Sequence, residues 1–294
     1  PLPDGLEIES LSGDSLHHWS EVVEDDQRKV IMDLNGKTIG SQAFALSLAG
    51  PAPTDVGAWQ VPRFQLDAAT RQSGELLIRP VAGIRLQATT TQNTSELDPR
   101  EMGGNSQDSL QGTLAFRLLQ RDWDLVLDIQ RLDPWITAEI LHELHLREGQ
   151  TRSTLTAEVS IEHAAVRSLQ IDLQINDPDI LRTVRATGAA VSDLVQTSPE
   201  STVWELQFKR RVIGNVQFQI EYERRGDRSG DTESLTPVEI VASEQTNYFF
   251  AVRAGGRLEI EPVNLASGWQ QLDWNMVPPT LREAGNQSAP ALTL

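Results

Sequence analysis

The chain has 294 residues, 39 % of them hydrophobic, a formal net charge of -17 and no cysteine. That apolar content supports packed cores and excludes general disorder. The missing cysteines exclude disulfides, thiolate metal sites and cysteine nucleophiles, and the negative charge argues against nucleic acid as a partner.

No apolar run approaches the ~20 residues of a membrane helix, so membrane insertion by this segment is not expected. The opening "PLPDGLEIE" has neither a basic n-region nor an apolar h-region and reads as a mature chain or an excised fragment. Along the first 110 residues come "PDGLEIESLSG", "SLHHWSEVV", in which a helix would run two turns at most, and "VIMDLNGKTIGSQAFALSL", where Val30, Met32 and Leu34 alternate with polar residues. "GELLIRPV" (74–81) and "REMGGN" (100–105) follow.

Period-two alternation then dominates residues 111–175. It runs through Leu114, Phe116 and Leu118, then Trp123, Leu125, Leu127 and Ile129, then Ala138, Ile140, His142, Leu144 and Leu146. Leu155, Ala157, Val159 and Ile161, and finally Leu169, Ile171, Leu173 and Ile175, complete five expected strands. Apolar side chains at every second position mark half-buried antiparallel strands, and turn residues such as Asp133-Pro134 and Glu148-Gly149 separate them. From 176 on, "PDILRTV" allows two helical turns at most. Trp204, Leu206 and Phe208, then Val216, Phe218, Ile220 and Tyr222, resume the alternation.

The two ends resemble each other. Pro3, Asp4, Leu6 and Gly13 match Pro178, Asp179, Leu181 and Gly188, and Ile39, Gly40 and Phe44 match Ile213, Gly214 and Phe218. Val30, Met32 and Leu34 superimpose on Trp204, Leu206 and Phe208, and "GELLIRPV" on "GRLEIEPV" (256–263). Alternation alone does not align Gly and Pro, which mark special backbone demands. The expected fold is therefore all-β: antiparallel β-sandwiches in which two repeated halves, 1–110 and 176–294, flank a five-strand antiparallel meander over 111–175, or one very large sandwich made of all three.

Functional signals are sparse. "ILHELHLREG" gathers His142, Glu143 and His145. On a strand, positions i and i+3 face opposite ways, so the two imidazoles cannot share a metal; His142 is expected in the core, with Glu143 and His145 on the polar face. Calcium is the one cofactor considered: Asp227, Ser229, Asp231 and Glu233 alternate as oxygen ligands do, without an EF-hand's glycine and final acid. A carbohydrate platform would use Trp135, Trp269 and Trp274 with Asp273, since sugars stack on flat indoles beside carboxylates. No catalytic residue is assigned, because no nucleophile elbow or phosphate-binding glycine loop occurs. The expectation is a non-enzymatic structural or adhesive β module of a larger extracytoplasmic bacterial protein, periplasmic or at the cell surface, with glycans or other protein modules as partners. The alternative is a carbohydrate-binding or carbohydrate-active protein.

Overall fold

The computed structural model describes residues 1–3, 5–24, 27–51, 53, 56–67, 69–102, 112–175, 177–225, 235–256, 259–285 and 288–294. Strands dominate and the helices are short, so the chain is all-β. It divides into two compact units, Pro1–Arg131 and Leu132–Leu294.

In the first unit β1 (Glu7–Ser12), β2 (Leu16–Glu24), β3 (Gln27–Leu34) and β4 (Ala45–Ala49) form two small antiparallel sheets, β1 on β4 and β2 on β3. They are followed by β5 (Gly57–Gln60), β6 (Gly74–Ile78), β7 (Ile84–Gln92), β8 (Thr94–Leu97), β9 (Leu114–Leu118) and β10 (Asp124–Arg131). These six make two three-stranded sheets, β5-β10-β7 and β6-β9-β8. Phe116 from β9 and Leu125 and Leu127 from β10 meet in one core with Trp123 and Val61. The alternation of "DLVLDIQ" places Leu125, Leu127 and Ile129 inward, all buried.

The second unit opens with a hairpin, β11 (Trp135–Arg147) and β12 (Gln150–Asp172), turning at Gly149 with φ 72°. Next come the single helical turn α1 (Pro178–Leu181), β13 (Arg185–Thr187), β14 (Val191–Gln196), β15 (Val203–Arg225), β16 (Glu239–Ile240) and β17 (Gln245–Ala254). A 3₁₀ turn at Trp274–Met276, α2 (Pro279–Ala284) and β18 (Leu292–Thr293) complete it. One eight-stranded sheet runs β13-β15-β12-β11-β17-β18, with β14 also on β15 and β16 also on β12. All pairings are antiparallel except β11 with β17. β12 and β15 pair along most of their length and bend together. His163 (φ 66°) interrupts β12 near Gly214 (φ 82°) of β15, and the register shifts between Ile161 and Val166.

The meander expected over 111–175 is not one sheet. β9 pairs with β6 and β8, β10 with β5 and β7, and only β11 and β12 pair with each other. The alternation at 155–161 and its resumption at Leu169 and Ile171 belong to one strand, which ends at Asp172 before Leu173 and Ile175. Alternation specifies that a strand has one buried face; it does not name the strand beside it.

Two stretches, one in each unit, pair strand for strand. Ser10, Leu11 and Ser12 of β1 face Ser47, Leu46 and Ala45 of β4, while Arg185, Ala186 and Thr187 of β13 face Glu221, Ile220 and Gln219 of β15. Leu16, Trp19 and Glu21 of β2 face Leu34, Met32 and Val30 of β3; Val191, Leu194 and Gln196 of β14 face Phe208, Leu206 and Trp204 of β15. A shift of 175 residues on one side and 174 on the other converts each pair of the first unit into its counterpart. Both ladders slip at the same place, between Leu16 and His18 and between Val191 and Asp193. Around the four-strand stretch the likeness stops. Pro178–Leu181 is helical where Leu6 leads directly into a strand, and 259–263 is not a strand although β6 is.

Candidate functional site around His142

His142 lies on the face of β11 that also carries Ile140, Leu144 and Leu146. Its neighbours in register are Leu155 on β12 and Phe250 on β17. Thr151 and Ser153, two small side chains of β12, leave room above that strand. Tyr222, whose register partner is Ser153, reaches over it toward His142. The Tyr222 hydroxyl is 3.2 Å from His142 Nε2, and the Tyr248 hydroxyl of β17 is 2.9 Å from Nδ1. Val238 N–H donates to the Tyr248 oxygen at 3.1 Å. The network is satisfied when Tyr248 O–H donates to Nδ1 and Nε2–H donates to the Tyr222 oxygen. Phe250, its ring centroid 5.2 Å from the imidazole, and Trp269 behind it close the apolar side.

Beside this network is a cavity of about 260 Å³ lined by His142, Thr151, Ser153, Tyr222, Arg224 and Asp177 on its polar side. Leu144, Leu173, Ile180 and Phe250 line its apolar side. Thr151 is buried, and its hydroxyl has no hydrogen-bond partner among the described residues. Burial holds the His142 pKa down at about 4 and raises those of Tyr222 and Tyr248. Of these three rings His142 and Tyr222 line the cavity, and at neutral pH both are uncharged; Arg224 and Asp177 stand on the same wall. The cavity offers hydroxyl and imidazole donors and acceptors beside a guanidinium and a carboxyl group, suited to a small polar molecule.

The opposite face of β11 differs from the expectation of a solvated polar surface. Glu143 is buried there against Arg253 of β17, Nη2 to Oε1 2.9 Å and Nε to Oε1 3.1 Å. The guanidinium also lies over Trp274, 5.3 Å from the ring centroid, and donates to Ser288. Leu141, Ala251, Val277 and Leu281 pack beside it. The segment carrying the 3₁₀ turn and α2 covers this face, so Glu143 is enclosed by a layer some 130 residues later in the chain. His145 on this face is half-buried, and burial, its largest influence, lowers its pKa. Its neighbours in sequence point the other way, so His142 and His145 do not converge.

The carbohydrate candidates are dispersed. Trp135, at the start of β11, is 46 % exposed and pairs in register with Glu162. Trp269 packs on Tyr248 and Phe250, on the His142 face, while Trp274 is buried on the opposite face. Asp273 caps the 3₁₀ turn by accepting from Asn275 N–H at 2.8 Å. The calcium candidates Asp227, Ser229, Asp231 and Glu233 lie outside the described residues. Among the described residues no three His, Asp or Glu side chains gather as metal ligands, and no helix is long and apolar enough to cross a membrane. The sequence reading placed His142 inside the protein but gave no sign of the tyrosine pair. Tyr222 and Tyr248 are the only tyrosines in the chain, and both converging on one buried imidazole is a signal that only a pairing map could reveal. No protein-family model matches this chain, and no curated protein matches it.

Proposed function

We propose that the chain is a non-enzymatic structural or adhesive β module, built around two copies of one four-strand motif and belonging to a larger modular protein. The observation that supports it most is the one-for-one register of β1–β4 with β13–β15, slip included. Repeated sheet motifs suit spacers and binding surfaces, where rigid shape is the product. The reading carries with it an extracytoplasmic bacterial setting, periplasmic or at the cell surface, with other protein modules or glycans as partners. Pulling single molecules by their termini tests it. The expected record has two separate unfolding steps, for units of 131 and 163 residues, releasing about 450 Å and about 570 Å of chain. One undivided release, or extension without a resisting step, would contradict a load-bearing modular role.

A carbohydrate-binding role is the second reading, favoured by the exposed Trp135 indole opposite Glu162. Glycan-array binding that disappears in Trp135→Ala would select it, and an array without signal would remove it.

A further inference from the structure

The cavity beside His142 has a floor of two small side chains. Ser153 and Thr151 share one face of β12, with Tyr222 and Arg224 beside them on β15 and Leu144 and Leu146 on β11. The next residue on this face, Leu155, pairs with Ile220 in continuous core, so the space exists only where the β12 side chains are short. Leu144, Leu173, Ile180 and Phe250 are buried and form the cavity's interior. Gln174, Asp177, Arg224 and Thr236 are exposed and mark its mouth.

Hydrogen bonds link Tyr248 to His142, His142 to Tyr222 and Tyr222 to Ser153. Thr151 stands outside that chain. It is 5 % exposed and lines the cavity, and its hydroxyl has no partner among the described residues. A buried hydroxyl left unpaired is costly, so an occupant that pairs with it is favoured. The matching group is another hydroxyl, which can donate and accept at once. A buried carboxylate or ammonium would need a buried counter-charge. The interior holds none, because Asp177 and Arg224, of opposite sign, are the exposed residues of the mouth. By proportion with an engineered cavity of about 150 Å³ that holds benzene, the volume of about 260 Å³ accommodates roughly ten non-hydrogen atoms.

We infer that this cavity is a binding site for a small uncharged alcohol or phenol. The ligand's hydroxyl pairs with Thr151 over the β12 floor, and its apolar body lies against Leu144, Leu173, Ile180 and Phe250. The site goes beyond the modular role proposed above and does not depend on it, since every residue of the cavity belongs to the second unit.

The test titrates the isotope-labelled whole chain with p-cresol and with cyclohexanol and follows its amide resonances by NMR. At least one of the two is expected to shift the Leu144, Thr151, Ser153 and Phe250 amides saturably, and the tighter binder shows whether the favoured body is aromatic or aliphatic. Thr151→Val, which removes the hydroxyl and keeps the side chain's shape, weakens that binding by about tenfold. Removing the ligand's own hydroxyl does the same, with toluene in place of p-cresol or cyclohexane in place of cyclohexanol. The hydrocarbon comparison uses the parent chain alone, so it decides the matter even if Thr151→Val folds poorly. Absence of a saturable shift with either alcohol overturns the inference and leaves a cavity that holds water only. Equal affinity for the alcohol and its hydrocarbon overturns it too, as does tighter binding of benzoate or of glucose.

Discussion

His142 is held by two tyrosine hydroxyls, and its titration should be visible in the stability of the whole unit. Folded, it takes up a proton only near pH 4; unfolded, it does so near 6.5. Between these values the unfolded chain binds a proton that the folded chain refuses. Its contribution is therefore intact above about pH 6.5 and is lost as pH falls toward 4, by about 3 kcal/mol over the full span. Denaturant titrations between pH 5 and 7.5 should show His142→Gln with a flatter stability profile than the parent, by about 2 kcal/mol. His145, shifted in the same direction, is present in both proteins and cancels in the difference. Parallel profiles would mean that His142 is not enclosed as described. The inward position of this residue was legible from "AEILHELHL", since Ala138, Ile140 and Leu144 share its face. The burial of Glu143 was not, because its cover, α2 and the turn before it, comes from a segment with no alternation to announce it.

At the scale of elements, paired glycines carry the clearest expectation. A Cβ on Gly13 would lie 2.8 Å from Ala43 O, and one on Gly188 2.9 Å from Gln217 O. Ala43 and Gln217 are equivalent under the 174 shift, and each crowded glycine also meets the phenylalanine that follows, Phe44 or Phe218. Gly13→Ala and Gly188→Ala should each destabilise their own unit by about 1–3 kcal/mol, the usual cost of overpacking. Gly74→Ala, whose Cβ would meet only Leu118 at 3.7 Å, should change little. Urea unfolding of the three variants distinguishes these outcomes, and equal behaviour would refute the close approach. These glycines were visible in the sequence as matched punctuation. What they punctuate was not: the alternation at Trp204–Phe208 and at Val216–Tyr222 reads as two strands, yet β15 continues through Gly214 as one. A glycine at φ 82° turns a strand without ending it.

For the molecule as a whole, the all-β class followed from period-two alternation, while the sheet order depends on pairings that no local pattern encodes. β11 lies parallel to β17 about a hundred residues away, and β10 leaves its sequence neighbours β9 and β11 for β5 and β7. The central claim is that residues 10–47 and 185–221 adopt one pairing scheme. Because the chain lacks cysteine, introduced pairs report on that scheme without background, and a disulfide requires Cα atoms about 4.4–6.8 Å apart with facing side chains. Ser10→Cys with Ser47→Cys and Arg185→Cys with Glu221→Cys should both close under mild oxidation. The pairs displaced by one residue, at Ser10 with Leu46 and Arg185 with Ile220, should stay open because they point to opposite faces. If one copy closes in its stated register while the other closes only in the displaced one, or not at all, the two segments are not the same motif.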